Sequence, residues 1–188
     1  MLRSSNTTPY TELLYTPFVL ACQETNADVV RAMLADPTTD PASNTSFSIL
    51  STVEYHDNAD VLKLLLEDGR ADPMAHDGYP LVSAVITMRL KCVEALLADP
   101  RVDPSVRNNN ALLWAVRKGA LEILNRLLAD PRVDPSSNNN QFIRVAMIRG
   151  KHDIAERLAL DPRVMAVPVG DVSVGSPAYK EEMAYVFN

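Results

Sequence analysis

Leu97-Ala-Asp-Pro-Arg-Val-Asp-Pro-Ser105 recurs letter for letter as Leu128-Ala-Asp-Pro-Arg-Val-Asp-Pro-Ser136. Aligned on the second Asp of each pair, the copies stand at Asp40, Asp72, Asp103 and Asp134, spaced 32, 31 and 31 residues apart. A shortened fifth copy reads Leu160-Asp-Pro-Arg-Val164, with Met165 where the second Asp belongs. Self-similarity at such a period marks stacked supersecondary units, each unable to bury its apolar face alone. Eight of the 13 prolines follow an aspartate. Pro cannot continue a helix, and it drives the preceding residue toward extended geometry. Leu-Ala-Asp-Pro therefore ends a helix, and the following Asp-Pro-Ser sets a turn through Asp side-chain bonds and the fixed Pro torsion.

Outward from these junctions each unit repeats one pattern. A first helix opens on a start signal, Thr16-Pro17 in the first unit and Asn110 in the fourth. It then carries an apolar residue and a small or apolar one three positions on: Phe18/Ala21, Leu50/Val53, Leu81/Ala84, Leu112/Ala115 and Ile143/Ala146. A turn follows, with Gly119 or Gly150 as C-cap in the last two units. The second helix starts with Asp28, Asp60, Glu122 or Asp153, acids that suit a positive helix N-terminus. Its apolar stripe reads Val61, Leu62, Leu65, Leu66 in the second unit and Ile123, Leu124, Leu127, Leu128 in the fourth. The third unit has Arg89 and Lys91 where a capping Asn or an acid is expected. The boundaries expected are a tail and cap at 1–15, five repeats at 16–47, 48–78, 79–109, 110–140 and 141–168, and a C-terminal loop and helix at 169–188. The segment from Pro9 to Tyr15 reads as a short capping helix. Tyr179, Met183 and Phe187 recur every four residues, which fits either a helix closing the end of the stack or a docking peptide.

Composition narrows the function classes. With 47% hydrophobic and 22% charged residues, the chain is neither disordered nor fibrous. A net charge of −6 argues against a general role in holding nucleic acid. No apolar run approaches a membrane span. Two cysteines, Cys22 and Cys92, are too few for a disulfide framework, and both lie in apolar helical stretches. They read as buried thiols in a reducing compartment, hence a cytoplasmic protein. Val19-Leu20-Ala21-Cys22 matches a lipoprotein cleavage signal in letters, but Pro9 and Glu12 interrupt the apolar core such a signal needs.

No catalytic or metal-binding set emerges. His56, His76 and His152 fall in three different units, none paired at i, i+4. Gly170-Asp-Val-Ser-Val-Gly175-Ser176-Pro177 echoes a phosphate loop but lacks its Lys. No cofactor is expected.

Taken together, Thr16-Pro-Phe-Val-Leu-Ala-Cys22, Gly119-Ala-Leu-Glu-Ile-Leu124 and Leu127-Leu128 resemble the ankyrin repeat, in phase over residues 16–165. The resemblance implies an all-α, curved solenoid of about five helix-turn-helix repeats with short extended or β-turn connectors and capped ends. It implies one array rather than two domains. The unit is shorter than the usual 33, and Asn108-Asn-Asn110 and Asn138-Asn-Asn140 stand in place of the usual finger tip. The implied function is non-enzymatic protein binding, as an adaptor or scaffold, on a concave face lined by the ends of the first helices. Carried over by register, that face holds Tyr55, His56, Ile86, Arg117, Lys118, Ile148 and Arg149, with Arg144 thickening its basic end and Trp114 beside it. Trp114 reads as core filling or as a binding anchor. The expected partner is another protein, bound by a monomer through an acidic segment, with neither nucleic acid nor membrane involved. A competitive regulator of a partner enzyme or transcription factor is the alternative, and an enzyme a remote one.

Overall fold

A computed structural model describes residues 16–55, 57 and 59–165. The expected N-terminal cap at 9–15, the C-terminal helix at 176–188 and His56 lie outside the described residues. All regular structure among the described residues is helical. The chain divides into two compact units, Met1–Asp103 and Pro104–Asn188.

The first unit contains α1 (Pro17–Gln23), α2 (Ala27–Leu34), α3 (Ser43–Tyr55), α4 (Ala59–Asp68), α5 (Ala75–Ile86) and α6 (Leu90–Ala98). First helices pack on first helices, α1 on α3 and α3 on α5, while α2, α4 and α6 form the second layer. The second unit contains α7 (Val106–Lys118), α8 (Leu121–Leu128), α9 (Ser137–Ile148), α10 (His152–Ala159) and the single turn α11 (Pro162–Met165). Here α7 packs on α9 and α8 on α10.

The helix starts follow the sequence signals. Thr16 Oγ1 accepts from the Val19 N–H at 3.3 Å, with Pro17 in the first turn. Asn26 Oδ1 accepts from the Val29 N–H at 3.2 Å. The second-helix stripe is buried in the middle repeats: Val61, Leu62, Leu65, Cys92, Val93, Leu96, Leu124 and Leu127 are fully enclosed. Burial of a side chain this size stabilises by about 1.5–3 kcal/mol. In the second repeat, Ile49 is enclosed while Leu50 is only half-buried. Three hydroxyls tie that helix together. Ser48 Oγ donates to the Pro41 carbonyl at 2.7 Å, and Ser51 and Thr52 both donate to the Ser48 carbonyl at 2.9 Å. Cys22 and Cys92 are buried and form no disulfide. Burial pushes the Cys22 thiol up to about 12 and the Cys92 thiol to about 11. Such thiols are inert at neutral pH.

The repeated nonapeptide has a role at nearly every letter. Its first Asp holds the Arg two residues on, as Asp99 does Arg101 and Asp161 does Arg163, at 2.6 and 2.8 Å. Its Val fills the core, as Val102, Val133 and Val164. Its second Pro is buried, as Pro104 and Pro135. Its second Asp turns the backbone: Asp134 Oδ1 accepts from the Ser136 N–H at 2.9 Å, and Asp72 Oδ1 from the Met74 N–H at 2.8 Å.

The connectors hold the expected β-turn, as in the Ala75 N–H to Asp72 carbonyl bond at 3.2 Å, and add a second turn of opposite hand after it. After each Asp-Pro-x-x, three consecutive residues adopt left-handed φ: Asn44-Thr45-Ser46, His76-Asp77-Gly78, Arg107-Asn108-Asn109 and Asn138-Asn139-Asn140. This single left-handed turn closes on an i to i−4 bond, as from the Asn109 N–H to the Ser105 carbonyl at 2.9 Å. L-residues lose about 1–2 kcal/mol each in this region, and Gly, Asn and Asp lose least. The Asn runs therefore encode a backbone conformation. The third residue of the turn is buried, and in two repeats its side chain joins the next. Asn109 Oδ1 accepts from the Asp134 N–H at 3.1 Å, and Ser46 Oγ accepts from the Asp72 N–H at 2.8 Å.

Candidate partner-binding face

In each repeat the first helix ends at a turn, and side chains around that turn point outward. In the first unit, Tyr55 closes α3 with 49% of its surface exposed, and Ile86 closes α5 half-buried. Both stand at the register position expected of a partner-facing residue. The Tyr55 carbonyl accepts from Arg89 Nη2 at 3.3 Å, and Asp57 Oδ1 accepts from the Lys91 N–H at 3.0 Å. The acid missing from the start of the third unit's second helix is thus supplied by the turn of the second. No reading of one unit at a time finds that bond. The only sequence signal is an acid in the turn before a helix that lacks its own.

In the second unit the ends of α7 and α9 carry the other candidates. Trp114 is half-buried, and the Arg117 guanidinium lies over its ring, 5.1 Å from the centroid. Trp114 is therefore neither wholly core nor fully exposed, and an Arg covers its ring. A cation over an indole at this range is stabilised by about 0.5–1 kcal/mol at an exposed site. Lys118 ends α7 exposed, Ile148 ends α9 half-buried, and Arg149 follows it exposed. Arg117, Lys118, Ile148 and Arg149 stand at the ends of two helices that pack on each other, with Trp114 one turn earlier on the first. Arg144 is oriented otherwise. Its Nη1 donates to the Asn139 carbonyl and its Nη2 to the Asn138 carbonyl at 3.3 Å, so it ties down the left-handed turn of its own repeat.

Gly119 holds the turn at φ 73°, where its amide bonds back to the Val116 carbonyl at 3.2 Å. The Lys151 side chain crosses this glycine from the next repeat. Its Cδ, Cε and Nζ lie 3.1 to 3.2 Å from where a Cβ of residue 119 would stand. A glycine suits the backbone angle, and a Cβ there would displace the flexible end of Lys151 by a few tenths of an ångström. Lys151 occupies the register position of Arg89, which reaches back in the same way in the first unit.

Elsewhere, α4 and α6 flank a cleft of about 320 Å³ lined by Ala59, Asp60, Lys63, Lys91, Glu94, Ala95 and Ala98. No cluster of three His, Cys, Asp or Glu able to hold a metal occurs among the described residues. No helix among them is long and apolar enough to cross a membrane.

A family model for ankyrin repeats, in three copies, matches residues 49–139. No curated protein matches the chain. Ankyrin repeats generally serve as protein–protein interaction modules and are typically non-enzymatic. Residues 49–139 thus belong to the ankyrin-repeat family, and α1 and α2 before them and α9 and α10 after them continue the same helix-pair pattern.

Proposed function

We propose that the chain is a non-enzymatic adaptor or scaffold that binds another protein through the ends of its first helices. The observation that carries this reading is the Trp114–Arg117 stack beside exposed Lys118 and Arg149. Trp and Arg are the residues most enriched at binding hot spots, and here a local basic cluster stands on a chain of net charge −6. Such a cluster attracts an acidic segment and speeds its encounter. Ile148 offers an apolar contact at the same place, and Tyr55 and Ile86 offer uncharged contacts at the matching register in the first unit. The partner is a protein, and the chain acts as a monomer. Its buried, inert thiols, not joined in a disulfide, suit a reducing, cytoplasmic compartment.

The test is affinity capture from a lysate of the source cell by the full chain. A variant carrying Arg117→Glu, Lys118→Glu and Arg149→Glu is run beside it. The wild type is expected to retain a partner at near-stoichiometric yield and the variant to lose it, with both showing the same thermal midpoint. Equal retention by the two would overturn the assignment of this face.

A further inference from the structure

We infer that Lys118 and Lys151, on the turns of adjacent repeats, form a subsite for two consecutive carboxylates in the bound segment. This rests on the acidic-partner reading above and adds the chemistry of the contact. The side chain of Lys151 is the better placed of the two. Its stem packs on Gly119, with Cδ, Cε and Nζ at 3.1 to 3.2 Å from the position a Cβ would take. That packing orders the side chain before any ligand arrives, which lowers the entropy lost on binding. Lys118 is the residue next to Gly119 and is exposed. No ion pair or hydrogen bond engages either ammonium among the described residues.

The neighbouring cations are committed elsewhere. Arg117 covers the Trp114 ring, and Arg144 is tied to the carbonyls of Asn138 and Asn139. Two like charges on adjacent turns, neither in an ion pair among the described residues, favour an occupant that brings two negative charges of its own. A Glu-Glu or Asp-Glu step supplies them, and an apolar residue beside it meets Ile148. Ammonium groups suit separate carboxylates as point charges, where a planar bidentate grip would call for arginine.

The test follows the Gly119 and Gly150 amide signals of the isotope-labelled full chain during titration with short capped peptides. One peptide carries two consecutive glutamates and a leucine, and the second replaces the glutamates with glutamines. The glutamate peptide is expected to shift Gly119 saturably and the glutamine peptide to leave it unmoved. Lys151→Met keeps the stem over Gly119 and removes the charge. It and Lys118→Met are each expected to weaken binding about threefold, while Lys63→Met in the first unit changes nothing. A saturable shift that survives the double Lys118→Met, Lys151→Met replacement overturns the subsite. So does tighter binding of a third peptide bearing one phosphoserine in place of the glutamates. Capture of the protein partner separates the two readings. If the triple reversal abolishes capture and the lysine-to-methionine variants do not weaken it, the subsite fails and the partner face stands. If the peptide binds through the lysines and the triple reversal leaves capture intact, the partner face fails and the subsite stands.

Discussion

The Arg101 guanidinium donates through Nη2 to the Leu66 carbonyl at 2.9 Å, one repeat back along the chain. Its Nη1 meets the Gly69 carbonyl at 3.1 Å, and the Asp99 carboxylate fixes it from the other side at 2.6 Å. The last carbonyls of a helix have no partner within it. Arg101 fills that need for α4 from the following repeat. Arg70 does the same for α2 through the Leu34 carbonyl, and Arg163 for α8 through the Leu128 carbonyl, at 2.9 and 3.0 Å. In the first repeat, Thr38 stands in the place of the arginine and bonds to its own Asp36.

Replacing Arg101 tests this bridge directly. Arg101→Met removes bonds to three carbonyls and leaves the Asp99 carboxylate without its guanidinium. The loss is expected to be about 1–3 kcal/mol, the range for a hydrogen-bonded charged group. Arg101→Lys keeps the charge and loses the fork, so it should recover less than half of that. Urea unfolding of the full chain reads both. A variant that unfolds at the wild-type midpoint would mean the bridge adds nothing.

The same pairs set an acid limit. The Arg partner holds the carboxyls of Asp68, Asp99, Asp130 and Asp161 below the usual carboxylate range, chiefly by hydrogen bonding. A group whose folded value is depressed contributes stability above its unfolded value, near 3.9, and loses it as pH falls through the folded one. Thermal midpoints should be flat across neutral pH and fall on acidification below about pH 4. The Arg101→Met variant should fall less steeply, since one linked carboxylate is already released. Parallel curves for the two proteins would exclude the linkage.

The left-handed turn makes a prediction of opposite sign at neighbouring positions. Asn139 is exposed at φ 55°, so Asn139→Gly should be neutral or slightly stabilising, while Asn139→Val should cost about 1–2 kcal/mol. Asn109 has the same φ class, but its side chain also accepts from Asp134 N–H. Asn109→Gly should therefore destabilise, by about 1–2 kcal/mol for a buried group left unbonded. Denaturant titrations of the three variants decide it, and equal effects at 109 and 139 would contradict the assignment.

The pattern of what could be read from the sequence has a physical cause. Helix pairs, their stripes and their stops depend on residues within a turn or two of each other, and Val61, Leu62, Leu124 and Leu127 were identifiable from spacing alone. The candidate face was reached through register with a known repeat, which placed Trp114, Arg117 and Lys118 at the end of α7. Contacts that cross from one repeat to the next were not legible. Arg101 to Leu66, Asp57 to Lys91 and Lys151 over Gly119 join residues about thirty positions apart, and no local rule pairs them. The arginine of the nonapeptide received no role from the sequence, because only the turn around it was visible. Asn108-Asn-Asn110 read as a missing finger because composition names residues and not the sign of φ.

The last prediction concerns Trp114, the only tryptophan in the chain. Its fluorescence therefore reports on the candidate face without a label. The indole is half-buried beneath Arg117, so its emission should lie between that of a core and a solvated tryptophan. Arg117→Ala uncovers the ring and should raise its quenching by acrylamide, with a small loss of stability, about 0.5–1 kcal/mol. Gly119→Ala acts on the same turn differently. It forces a side chain to φ 73° and into the space of Lys151, so it should cost at least about 1 kcal/mol and leave Trp114 quenching nearly unchanged. Bound partner should protect Trp114 from acrylamide in the wild type. If Trp114 stays as quenchable in the complex as in the free chain, the partner lies elsewhere on the repeats.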